Sequence, residues 1–446
     1  MEAGDQRHMC IATAVSEVIG QQHVRVDDTL ARRLTDQTTP VVIAAPPDES
    51  TVAQLLQMAT DEDWSVVPIG AGTHLDCGAV PSRVEILLES TQLCQIVDYS
   101  PADMVVTVQS GTPLSRLQAH LANHGQMLPI DPPCSPRATI GGVVSAGLSG
   151  PHRILYGTLR DLLIGARVVL ADGRVVRLGG KVVKNVAGYD VTKLLVGSRG
   201  SLGFISECTF KLKPLPLHRA MCLLRGSMYQ VDRARARVMD SPLLPSACEA
   251  IHTAETHEGT PDGEGGDWWL AVDCHENREA AEFQTEQLLL LAADLGMQAK
   301  VFSSNEVEQF WVEHGERWAN PECVLRVQCP PSDLMFILQE WAQVLTRQNL
   351  PPYLTASLPV GVGRVRVRTE KTENIILLLE ELRAAARKRN AATVLETAPT
   401  AIRRAFPVFD SPRLGLAERR LQAAVRQVFQ AEGAQFPDPY AGGMSS

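Results

Sequence analysis

The stretch GGKVVKNVAGYDVTKLLVGSRGSLG, residues 179–203, decides how this 446-residue chain is read. It is too glycine-punctuated for a uniform helix and too apolar for a disordered loop. Gly197, Gly200 and Gly203 recur at spacing three, just before the β-like run 204–212. Glycines so placed let the backbone approach a ligand without interference from Cβ atoms. Two other loops share this character: IGAGTHLDCG at 69–78 and DPPCSPRATIGGVVSAGLSG at 131–150. Together they predict three loops closing on one large phosphate-containing cofactor.

Composition narrows the options. Acidic residues outnumber basic ones, 51 to 42, for a formal charge of −9, and no basic block offsets the balance, so nucleic acid is not an expected partner. The ten cysteines are scattered without a Cys-x-x-Cys, which predicts mostly reduced core thiols of a cytosolic protein and no iron–sulfur cluster held by this chain. The N-terminus lacks the basic start and apolar core of an export signal, and no run is long enough to span a bilayer. The expectation is a soluble chain that touches a membrane only peripherally, through a docked partner.

Outward from the glycine loops, residues 1–35 read as a helical lead-in and 36–216 as the ligand-binding domain. Residues 41–45 and 65–69 are strand candidates. Between them Asp48 or Ser50 caps a helix with Val52, Leu55, Leu56 and Ala59 on one face. The second strand runs straight into Gly70-Ala71-Gly72-Thr73. A Rossmann fingerprint would instead need Gly-x-Gly-x-x-Gly opening a helix. From 96 to 214 the pattern is mostly β, with a hairpin turn at Ala171-Asp172-Gly173 and one helix around 113–123. Residues 217–430 show a βα…βα repeat that fits two ferredoxin-like half-sheets with helices on one face. Residues 255–267 form a polar glycine-rich insertion, and 431–446 a loosely ordered tail.

Each motif has a plain reading beside the functional one. Residues 69–78 are either an ordinary glycine turn or a row of N–H groups aimed at a pyrophosphate. Thr139-Ile140-Gly141-Gly142 is a tightly packed helix entry, or it places Thr139 and two amides around a ligand. Ser145, Ala146, Gly147 and Ser149 are small, as a chain pressed against a flat ring requires. His74 reads as a loop histidine near the cofactor mouth. Lys184, Asn185, Tyr189 and Asp190 are polar groups in an apolar loop and therefore functional candidates. Trp311 and Trp318 read as core and surface of an amphipathic helix. His252, His257, His275 and His314 lack metal-ligand spacing, so no metal site is predicted, and no catalytic residue is assigned.

GAGTHLDCGA, DPPCSPRATIGG and GYDVTKLLVGSRGSLGFI, in this order, resemble the three cofactor loops of the FAD-binding vanillyl-alcohol oxidase (PCMH-type) superfamily. Within it, residues 179–203 most resemble the E subunit, the FAD-binding subunit, of bacterial glycolate oxidase. The resemblance implies an α+β fold: a two-subdomain PCMH-type FAD-binding domain followed by a ferredoxin-like α+β cap domain. It implies that Pro68, Ile69, Gly70, Ala71, Gly72, Thr73 and His74 hold the FAD pyrophosphate. Pro133, Cys134, Ser135, Thr139, Gly141 and Gly142 would line the second loop. Ala146 and Ser149 would lie near the flavin or ribityl chain, and Arg199, Gly200, Gly203 and Ile205 on the adenine side. Members with covalent flavin carry a histidine where Thr73 stands, which implies non-covalent FAD. The histidine-rich Gly-His-x-Gly-(Asp)-Gly-Asn-x-His segment of D-type subunits is missing from the sequence.

Three functions follow from this resemblance. The first is an FAD-binding subunit of a glycolate (2-hydroxy acid) oxidase complex, partnered by a homologous D-type flavin subunit and an iron–sulfur F-type subunit. The second is a stand-alone FAD-dependent 2-hydroxy acid or alcohol dehydrogenase, with Arg326, Arg364, Arg366 or Arg368 binding the carboxylate. The third is a non-catalytic assembly subunit with a degenerate flavin fold.

Overall fold

The computed structural model describes residues 3–27, 29–35, 40–132, 136–181, 189–253, 268–318, 323–368, 372–410, 416–429 and 436. Pro133, Cys134, Ser135, Lys184, Asn185, the 255–267 insertion and most of the 431–446 tail lie outside them.

The first sheet contains β1 (Val24–Asp27), β2 (Val41–Ala44), β3 (Val66–Ile69) and β4 (Ile86–Glu89) in the order β1-β2-β4-β3. β4 is parallel to both β2 and β3. The helix Glu49–Asp61 makes the crossover between β2 and β3. Asp48 caps it by accepting from the Thr51 N–H at 2.9 Å, and Val52, Leu55, Leu56 and Ala59 form its buried face. The 1–35 segment is not purely helical. After the helix Ala3–Ile19, β1 pairs antiparallel with β2, because an edge strand was open to it.

The second sheet uses β5 (Ile96–Ser100), β6 (Val105–Gln109), β8 (Leu163–Val169), β9 (Val175–Gly179) and β10 (Phe204–Lys211), in the order β5-β6-β10-β8-β9. The short pair β7 (Gln126–Met127) and β11 (Lys213–Pro214) stands apart. Arg167 and Ser206 of this sheet both donate to Glu49, which fixes the first crossover helix on its surface. Beyond Pro214 the chain enters β12 (His218–Gly226), β13 (Ala247–Thr253), β14 (Trp268–Glu276), β15 (Gln298–Phe302), β16 (Cys323–Gln328), β17 (Tyr353–Ser357), β18 (Val362–Val367) and β19 (Ala392–Thr397). These make one eight-stranded sheet, ordered β15-β12-β14-β13-β17-β18-β16-β19. Each half runs βαββαβ, and the halves join where β13 pairs antiparallel with β17.

Strand alternation gives this sheet two unlike faces. Trp268, Leu270, Val272 and Cys274 of β14 pack against the helices Met228–Met239, Arg278–Asp294, Pro331–Arg347 and Thr372–Arg387. Asp273 and His275 are on the opposite face of that strand, as are Glu249 of β13 and Arg364 of β18. That face meets the first domain. Trp341 anchors the helical side: it is fully buried and donates its indole N–H to the Leu382 carbonyl at 2.7 Å. Trp341→Ala should cost roughly 3–5 kcal/mol of stability in urea unfolding, since it opens a large cavity and strands a carbonyl. A loss under about 1 kcal/mol would contradict this packing.

Candidate functional site

β3 delivers the chain into the 70–78 loop at the mouth of a cavity of about 1170 Å³, part of it open to solvent. Pro68, Ile69, Gly70, Ala71, Gly72, Thr73, His74, Thr139, Gly141, Gly142, Ala146, Arg199, Gly200, Gly203 and Ile205 all line it. Ser149 does not; it lines a second cavity on the cap side of the same segment. Ser90, Ser110, Cys77 and Ser145 also line the first cavity, though no sequence motif marks the serines at 90 and 110. Tyr189 is 96% exposed and Asp190 is hydrogen-bonded to Thr192, so neither lines a cavity wall.

Close approach explains the glycines. A Cβ on Gly70 would sit 2.1 Å from Thr139 Oγ1, and one on Gly147 would sit 3.0 Å from the Cα of Gly197. The three loops are therefore in close contact, backbone to backbone between Gly147 and Gly197 and backbone to side chain between Gly70 and Thr139. The Gly197 N–H donates to Val144 and the Arg199 N–H to Ser145, tying the third loop to the helix Ile140–Ala146. Among the described residues, no acceptor engages the N–H groups of Gly70, Ala71, Gly72, Thr73 or His74. Such a run of free donors matches a ligand's anionic oxygens. At Thr139-Ile140-Gly141-Gly142 the tightly packed helix entry is what is found. The Gly141 N–H donates to the Ser110 carbonyl at 2.7 Å and the Gly142 N–H to Thr139 Oγ1 at 3.4 Å. Both amides are thus engaged within the protein, while both glycines line the cavity. Ser110 Oγ and Arg199 Nη1 are buried without partners, and Arg199 adopts a left-handed φ of 53°. A donor row, unpaired polar atoms and a Cβ-free cradle fit a dinucleotide cofactor.

Cys77 stands beside His74 and Arg199. Burial alone would raise its thiol, but the charges of Arg199 and His74 bring it down to about 6. Burial pushes His74 down, and the Cys77 charge more than offsets that.

The second cavity, about 540 Å³ with its open part, lies between the domains. Asp131, Ser149, Gly150 and Arg153 come from the first domain, and Glu249, Thr355, Ser357 and Arg364 from the sheet. Trp311 and Trp318 line it too: Trp318 is buried in a small core cluster and Trp311 is half-buried against another, and sequence periodicity does not show that they also reach this cavity. Arg364 donates to Glu396 at 2.6 Å and Arg326 approaches the same carboxylate at 3.4 Å. Burial would raise Glu396, yet these two guanidinium groups hold it at about 2. Glu396 also acts on His74, and Arg199 and Arg153 both act on Arg326, so this charged array spans the two cavities. Arg366 is turned elsewhere, stacked on Tyr353 at 4.4 Å and bonded to the Arg317 carbonyl. The Arg153 guanidinium has no hydrogen-bond or ion-pair partner among the described residues. Burial pushes Glu249 up to about 8, against the pull of Arg364, and its Oε2 has no partner.

At the cavity edge, His152 bridges the domains. Its Nδ1 meets Asp131 and its Nε2 lies 2.8 Å from Asp273 Oδ2. Burial would lower its pKa, but the two carboxylates raise it to about 10. His275 Nε2 and Trp311 Nε1 reach the same Asp273 oxygen at 3.1 and 2.9 Å.

Two outcomes are expected. In the ligand-free chain, iodoacetamide should label Cys77 at neutral pH, with a rate rising through about pH 6, while buried Cys248 stays unlabelled in peptide mapping. Labelling of Cys77 that rises only near pH 9 would refute the thiolate. Gly70→Ala should lower cofactor occupancy of the purified protein roughly 10-fold or more, since its Cβ collides with Thr139. Gly315→Ala, with open space around it, should not.

Residues 40–179 match the family model described as "FAD binding domain". The chain is 42% identical over 151 residues to glycolate oxidase subunit GlcE of Escherichia coli, covering 34% of this chain and 42% of that protein. It is 33% identical over 219 residues to glycolate oxidase subunit GlcD of Bacillus subtilis, covering 48% and 46%. The chain thus spans a little under half the length of these relatives. The fold is that of p-cresol methylhydroxylase, with a TM-score of 0.73 at 16% identity, covering 95% of both chains. The matched loops and the free donor row lead to one assignment: residues 40–179 form an FAD-binding domain, and the cofactor is FAD.

Proposed function

We propose that this chain is the FAD-binding subunit of a glycolate (2-hydroxy acid) oxidoreductase complex, and that it holds FAD non-covalently. The observation that carries the reading is the free donor row at 70–74, together with a cavity between the domains that holds Arg153 and Arg364. Both named relatives are glycolate oxidase subunits. Residues 70–74 would take the pyrophosphate through their N–H groups, with Pro68 and Ile69 leading the chain into that row. Thr139, Gly141 and Gly142 would shape the second wall, with Pro133, Cys134 and Ser135 completing its loop. Ala146 and Ser149 would flank the ring end, and Arg199, Gly200, Gly203 and Ile205 the adenine end. Bound FAD supplies the two-electron acceptor for oxidation of an α-hydroxyl carbon.

The chain's own residues would orient the acid. Arg153 and Arg364 set a positive field that suits a carboxylate, and Arg153 has its donors free to make the contact. Glu249 is protonated below about pH 8 and could donate to the substrate; above that pH it could accept the hydroxyl proton. The partners would be a D-type flavin subunit and an iron–sulfur F-type subunit, with any membrane contact made through them. The cavity in this chain also favours a second reading, a dehydrogenase complete in itself.

The deciding measurement is the visible spectrum of the purified chain before and after acid precipitation, followed by anaerobic glycolate. Flavin released into the supernatant supports non-covalent FAD. Bleaching by glycolate favours the self-sufficient dehydrogenase, and bleaching only after partners are added favours the subunit. A colourless chain that cannot be reconstituted with FAD would overturn both. Where glycolate bleaches, Arg153→Met should raise the concentration needed roughly 10–100-fold.

A further inference from the structure

Asp273 of β14 is fully buried, and its two oxygens are treated unequally. Oδ2 is met by three nitrogens, His152 Nε2 at 2.8 Å, His275 Nε2 at 3.1 Å and Trp311 Nε1 at 2.9 Å, whereas Oδ1 has no partner at all. A buried carboxylate oxygen left bare is costly, and more so when the group is charged. The two imidazoles are held in a matching way from outside. His152 Nδ1 faces Asp131, and His275 Nδ1 lies 2.9 Å from the Tyr156 hydroxyl. With both Nδ1 atoms so engaged, the Nε2 atoms of both rings converge on one carboxylate. One ligand-bearing atom from each of His152, Asp273 and His275 falls within 4.8 Å of the other two. Asp273 and His275 share a face of β14 because they are two residues apart on a strand, while His152 arrives from the other domain.

We infer that His152, Asp273 and His275 form a site for one divalent transition-metal ion of the zinc class, bridging the FAD-binding domain and the cap. The donor set is two imidazole nitrogens and one carboxylate oxygen, which suits zinc and its first-row neighbours better than calcium or magnesium. Oxygen acceptors behind both histidines are the outer support that metal-bound imidazoles need. In the metal-free chain Asp131 and Asp273 hold His152 protonated, so a divalent ion binding at Nε2 takes the place of that proton between the carboxylates. Three protein ligands leave a coordination position for water, and the site borders the second cavity, of which Asp131 and Trp311 form part of the wall.

The test uses the 446-residue chain, stripped with a chelator, equilibrated with zinc or cobalt(II), desalted and analysed by elemental mass spectrometry. About one zinc per chain should remain, and cobalt should give visible ligand-field bands. His275→Ala and Asp273→Asn should each abolish retention while the circular dichroism spectrum stays unchanged. Tyr156→Phe, which removes only the outer hold on His275, should weaken zinc binding about 10-fold. His120→Ala, remote from the cluster, should change nothing. Failure of the wild-type chain to retain either metal would overturn the inference, as would equal retention in a folded His275→Ala or Asp273→Asn variant. None of these readouts depends on flavin content or on turnover, so they stand apart from the proposed oxidation.

Discussion

The guanidinium of Arg403 is buried where the end of the cap folds back onto the FAD-binding domain. It donates to the Ala398 carbonyl at 2.9 Å within the cap, and to the carbonyls of Gly78 and Arg33 in the first domain. Around it the Ala398 N–H donates to Asp76 at 2.9 Å and Thr400 Oγ1 to Arg32 at 3.0 Å. Each carbonyl that lost its donor here would cost roughly 1–3 kcal/mol. Both cavities depend on this seam, because one has its mouth beside it and the other lies between the surfaces it holds together.

The seam also explains why the cap sheet tolerates charge on its inner face. Glu249, Asp273, Arg364 and Glu396 sit on a buried surface, where an unpaired ion would be costly. Glu396 is neutralised by Arg364 and Arg326, and Asp273 is surrounded by histidines and an indole. Among these charged groups of the described residues, one oxygen each of Glu249 and Asp273 stays unpaired, both at the second cavity or its edge.

Much of the first cavity was legible from the chain. Glycine spacing at 70–72, 141–142 and 197–203 marked the loops, since only a missing Cβ allows such backbone proximity. Pattern also gave the helix faces of the first crossover and the βα repeat of the cap, although β13 and β15 escaped notice. The sequence left two uses open for the Gly141 and Gly142 amides, because a motif does not tell which acceptor an N–H will find first. His152 drew no attention at all: 121 residues separate it from Asp273.

The sequence alone determined the order of the three loops, the two-faced alternation of the cap strands and the FAD-binding domain at 40–179. These are local properties, set by which residues lack a Cβ and which repeat at strand or helix spacing. Tertiary structure decided the rest. It chose which strand face meets the first domain, and so whether Arg364, Glu249 and Asp273 face solvent or a cavity. It also brought His152 to His275, since contacts between distant segments depend on how two folded surfaces dock, and no local spacing records that.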